Sequence, residues 1–106
     1  MKLITIIIFL LISFNLPLKV NSSNDIQKAF NGNGKLIFIR HAYAPGGGDP
    51  DNFDISNCTT QRNLNTKGIE QSINIGKFFL KNDIAIGKVL SSEWCRCKKT
   101  AEYAFK

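Results

Sequence analysis

His41 is the only histidine in this chain, and Arg40 stands directly before it. A neutral imidazole whose one ring nitrogen is held by a backbone carbonyl can attack phosphorus with the other. A guanidinium offers a planar fork of donors that suits phosphoryl oxygens. Arg40 and His41 together therefore suggest a phosphoryl acceptor beside an anion clamp. Arg96 supplies a second guanidinium near the end of the chain. Taken alone, a single histidine after an apolar run is more often structural, so the case depends on what brings these residues together.

The three cysteines are Cys58, Cys95 and Cys97. Cys-Arg-Cys is neither a zinc pattern, since nothing completes four ligands, nor the two-residue spacing of thioredoxin-like redox motifs. In an oxidising compartment the expected bond is Cys58 to Cys95 or to Cys97, with one thiol left over. Gly46-Gly47-Gly48 is not followed by the residues of a nucleotide-binding loop and reads as turn geometry. The residues call for no metal and no cofactor.

The elements that must position this chemistry follow from periodicity. Leu36 to Ile39 is an unbroken apolar run between turn signals, the pattern of a strand buried on both faces. Asn24 can cap a short helix over residues 25–30. From Ala42 to Arg62 nothing is periodic, which makes a long loop. Asn65 caps a helix over residues 66–81, with Ile69, Ile73 and Leu80 as its core face and Asn82-Asp83 at its exit. Lys88 to Ser91 reads as a second strand, and Ser92 as the cap of a last helix from Glu93 onward. This order predicts an α/β fold, a parallel β-sheet flanked by helices with a right-handed crossover. His41 and Arg96 would then meet beyond the carboxyl ends of the strands, where open α/β sheets bind ligands. The backbone N–H groups of the last helix would add a positive pole there.

Length and charge set the outer limits. Residues 1–22 read as a signal peptide, with Lys2 as a minimal basic region, an apolar run from Leu3 to Ile12, and Val20 and Ser22 before the cleavage point. That run is too short to span a bilayer. The expectation is an exported protein, periplasmic or secreted, with no stable membrane anchor after cleavage. Residues 23–106 then form one small domain, which loses Lys2 and Lys19 and keeps 12 basic against 8 acidic residues. The basic residues are scattered and the aromatics are mostly Phe within apolar patterns, which argues against nucleic acid as a partner.

Three motifs carry a family resemblance. Arg40-His41-Ala42 after an apolar run is similar to the Arg-His-Gly signature of the histidine phosphatase superfamily, also called phosphoglycerate mutase-like. Leu64-Asn65-Thr66-Lys67-Gly68 with Gln71 resembles its helix start, and Ser91-Ser92 through Arg96 to Thr100-Ala101 resembles its second block. The resemblance implies a three-layer α/β sandwich, here truncated after its second βα unit. It implies that His41 accepts phosphate, that Arg40 and Arg96 bind the phosphoryl group, and that Arg62 lines the substrate side. The activity implied is hydrolysis of a small phosphorylated substrate or phosphoprotein through phosphohistidine, impaired in this length of chain. Tyr43 and Ala44 stand where mutase-like members often carry Glu or Gln, which turns the expectation away from mutase activity. The second pocket histidine and acidic proton donor of the family have no counterpart here. Two other classes follow from the residues: a non-catalytic phosphate-binding module and a thiol-dependent envelope protein.

Overall fold

The computed structural model describes residues 22–106. The leader expected over residues 1–22 therefore lies outside the described residues, apart from Ser22. Among the described residues no helix is long and apolar enough to cross a membrane.

Three α-helices form: α1 over Ser22–Phe30, α2 over Thr66–Lys81 and α3 over Cys95–Phe105, with a 3-10 turn over Cys58–Thr60. Asn24 lies inside α1 rather than capping it. The far end of α1 is closed by Lys35, whose ammonium donates to the carbonyls of Lys28, Ala29 and Asn31 at 2.8–3.0 Å. That placement suits the negative end of a helix.

The limits of α2 follow its sequence signals. The Asn65 side chain accepts from the Gly68 N–H at 3.0 Å, satisfying one orphan donor of the first turn, a contribution of about 1 kcal/mol. At the exit Asp83 adopts a left-handed φ of 49°. The Ile84 N–H returns to the Phe79 carbonyl and the Asp83 N–H to Leu80. Phe79 and Ile84 are both buried, so the terminal hydrogen bonds come with the apolar contact that usually accompanies this cap.

α2 packs on α3 through small residues. The buried positions of α2 are Gly68, Ser72, Gly76 and Phe79. A Cβ built on Gly76 would lie 2.1 Å from the Ala104 carbonyl oxygen, so the two backbones approach more closely than any side chain would permit. The expected core face is corrected accordingly: Ile73 is 38% and Leu80 80% exposed. Close packing of backbone on backbone selected the small stripe, and an apolar pattern does not report it. Phe79 adds an edge-to-face contact with Phe105 at 5.1 Å.

The expected parallel sheet is overturned. Among the described residues there is no strand or sheet, and the one β-type pairing is an isolated bridge between Asp54 and Asn57. Leu36 and Phe38 are 82% and 90% exposed, while Ile37 and Ile39 are half covered. The run therefore has an open side and a covered one, as an unpaired chain with alternating side chains would show. A continuous apolar run looks alike in sequence whether or not a neighbour pairs with it. Lys88 to Ser91 is likewise exposed and unpaired, and α3 begins at Cys95 after Trp94, later than the expected start at Glu93 with Ser92 as cap.

Candidate functional site

His41 leads into the only stretch of its segment that is firmly held. Ala42 and Ala44 are almost fully buried. The Ala42 N–H donates to the Thr100 hydroxyl at 2.9 Å, and the Tyr43 N–H donates to Gln71 Oε1 at 2.8 Å. Residues 42–44 are thus pinned to α3 on one side and α2 on the other. Gly68 makes this fit, since a Cβ there would collide with the Tyr43 carbonyl. The Thr100 hydroxyl donates in turn to the Arg96 carbonyl at 2.7 Å, one turn back along α3. Two hydrogen bonds through one threonine therefore link the backbone beside His41 to Arg96.

His41 Nδ1 lies 2.8 Å from the Ala42 carbonyl oxygen. A carbonyl only accepts, so Nδ1 is the donor here, and in the neutral ring the lone pair is then on Nε2. The ring is half-buried. Arg40 is exposed and takes no part in the hydrogen bonds that hold Ala42 to Ala44. The expected convergence of His41 and Arg96 at two strand ends does not occur among the described residues; what links them is the Ala42–Thr100–Arg96 backbone path, while the Arg96 guanidinium turns to Asp49.

Arg62 and Arg96 share a polar cluster built around Asp49. Arg96 is 9% exposed. Its Nη1 donates to both Asp49 carboxylate oxygens, at 2.9 and 3.1 Å, and its guanidinium carbon sits over the Trp94 ring, 4.4 Å from the ring centre. Trp94 is backed by Phe53 at 4.9 Å. Arg62 donates from Nη1 to the Ala44 carbonyl at 2.6 Å, and its backbone N–H donates to Asp49 Oδ1 at 2.8 Å. The Nε of each arginine is buried without a hydrogen-bond partner among the described residues. Buried donors of this kind are uncommon and costly, and more so on a charged group. The Arg62 N–H first, and then the Arg96 guanidinium, hold the Asp49 carboxyl below its ordinary pKa, against partial burial, which works the other way. Two guanidiniums against one carboxylate leave a positive charge uncompensated.

The surrounding loop is built from its own polar groups. Asn57 caps the 3-10 turn by accepting from the Thr59 N–H, Asp54 accepts from Ser56, and buried Gln61 donates to the Asp54 and Ile55 carbonyls. Gln61 Oε1 also accepts the Cys95 N–H at 3.0 Å, so one amide of the α3 start that was expected to face a ligand is already used. Cys58 is bonded to Cys95, which fixes the loop to the same helix end, and Cys97 remains a free thiol. No family, no curated protein and no solved structure matches this chain. The site must be read from its own geometry.

Sequence reasoning singled out His41, Arg40, Arg96 and Arg62. It missed Asp49, which looks in sequence like one of several loop acids, and the anchoring roles of Gln61 and Gln71. No spacing marks Asp49; only its place directly after three glycines sets it apart. Among the described residues no cluster of His, Cys, Asp and Glu is suited to hold a metal ion.

Proposed function

We propose that this protein transfers phosphate from a small phosphomonoester to His41 and then to water. The observation that carries the reading is the Nδ1 contact with the Ala42 carbonyl, which leaves Nε2 as the free nucleophilic nitrogen. Nε2 attacks phosphorus, the P–N bond forms as the ester P–O bond breaks, and the leaving oxygen takes a proton from water. In the second step water attacks phosphorus and gives up the proton that restores the one taken in the first step, the P–N electron pair returns to Nε2, and inorganic phosphate is released. Arg96, with Arg62 behind it, stabilises charge on the transferring group; removing one such donor typically costs on the order of a hundredfold or more in rate. The resemblance of three motifs to the histidine phosphatase superfamily supports the same residue roles. The proposal includes export, which the disulfide favours, since such bonds persist in oxidising compartments.

Incubation with a generic phosphomonoester should yield acid-labile phosphohistidine on the wild-type chain and none on His41→Ala. Labelling that persists in the variant would place the chemistry elsewhere. Phosphate binding without turnover is the second reading, favoured by the buried unpartnered Nε atoms of Arg62 and Arg96. It predicts a melting temperature raised by phosphate, a shift lost in Arg96→Ala, with no phosphohistidine formed.

A further inference from the structure

We propose that Asp49 is an internal competitor for the anion that the Arg62–Arg96 site takes, so that a phosphate group must displace it to bind fully. This rests on the reading that the site receives a phosphoryl group, and it adds how entry is controlled. Asp49 occupies the places a phosphate would seek: it accepts twice from Arg96 Nη1 and once from the Arg62 backbone N–H. The same two residues keep a buried Nε with no protein acceptor, so the carboxylate uses only part of the available donor set. A carboxylate has two oxygens and one negative charge, whereas a phosphoryl group brings three oxygens and a larger charge.

The segment carrying Asp49 is suited to move. Gly46 holds a left-handed φ of 105°, and a Cβ on Gly47 or Gly48 would meet nothing within 4 Å. Pro45 and three glycines thus connect the anchored Ala44 to Asp49, and open space surrounds the last two glycines. Asp49 also orients Arg96, and that ordering favours a ligand. The opposing effect is larger. A phosphate dianion beside a retained carboxylate, about 5 Å away at an effective dielectric near 20, loses well over tenfold in affinity, more than fixing one arginine side chain returns. Removing the charge while keeping the shape should therefore strengthen binding.

The test is calorimetric titration of inorganic phosphate into the full chain as wild type, Asp49→Asn and Arg96→Ala. Asp49→Asn keeps an acceptor for the Arg62 N–H and should bind phosphate at least about tenfold more tightly than wild type, while Arg96→Ala should bind it least. Equal or weaker binding by Asp49→Asn would overturn the competitor role and leave the phosphate reading standing. Binding by none of the three would overturn both. If Asp49→Asn fails to fold, phosphate titration of the wild type followed by amide NMR decides the matter. The Arg62 amide should shift as its bond to Asp49 is lost, and an Arg62 amide unmoved at saturating phosphate would overturn the proposal.

Discussion

The two helices α2 and α3, with the loop bonded to them, contrast with the apolar runs at Leu36–Ile39 and Lys88–Ser91. In the first region backbones touch through glycines, most polar groups find partners apart from the Nε atoms of Arg62 and Arg96, and a disulfide closes the loop. In the second, Phe38 and Leu90 are 90% and 79% exposed. Both regions look equally structured in sequence, and the second is the more hydrophobic. The difference teaches that order around His41 comes from geometric fit and hydrogen bonding at Ala42–Ala44 rather than from the apolar run that leads into it.

The strongest way to break this contrast is to open the disulfide. Cys58→Ser or Cys95→Ser releases a loop spanning 37 residues, and loop entropy puts the loss at roughly 3–4 kcal/mol. Urea unfolding should show that loss, and amide exchange should rise at Gln61 and Arg62, whose N–H groups are hydrogen-bonded, before it rises along α2. A smaller effect is expected from Gly76→Ala, whose Cβ meets the Ala104 carbonyl at 2.1 Å. Forcing the helices apart should cost about 1–3 kcal/mol, whereas Phe38→Ser on the open run should stay within about 0.5 kcal/mol. A cost at Phe38 as large as that at Gly76 would erase the distinction between the two regions.

The mildest perturbation is acid. Asp49 is held below its ordinary pKa first by the Arg62 N–H, and Asp54 by its bonds from Ser56. A carboxyl whose pKa is lower folded than unfolded contributes stability that is complete above the unfolded value and is lost as pH falls through the folded one. The loop between Asp49 and Gln61 should therefore loosen only below the ordinary carboxylate range, while the exposed run before His41 shows no such change. Amide exchange measured at pH 6 and pH 3 checks this, and uniform behaviour of both regions would count against it.

Some of this was legible in the sequence. The limits of α2 were, because Asn65 as cap and Asn82-Asp83 as exit act locally and need no tertiary partner. His41 and Arg96 were singled out as a pair, although the sheet expected to join them does not form among the described residues. The apolar pattern could not tell a paired run from an unpaired one, since the missing information is the neighbour. It also could not reveal the packing stripe Gly68, Ser72 and Gly76, because contact between backbones selects small residues and leaves no hydrophobic signal. Asp49 was hidden for a related reason: its importance comes from Arg62 and Arg96, distant in sequence and close only after folding.

The central claim is that His41 accepts phosphate on the nitrogen left free by the Ala42 carbonyl. Phosphorylating the chain with a small phosphomonoester and identifying the modified ring nitrogen by NMR tests it most directly. The account predicts phosphate on Nε2 of His41; phosphate on Nδ1, or a His41 that stays unmodified while turnover proceeds, would contradict it.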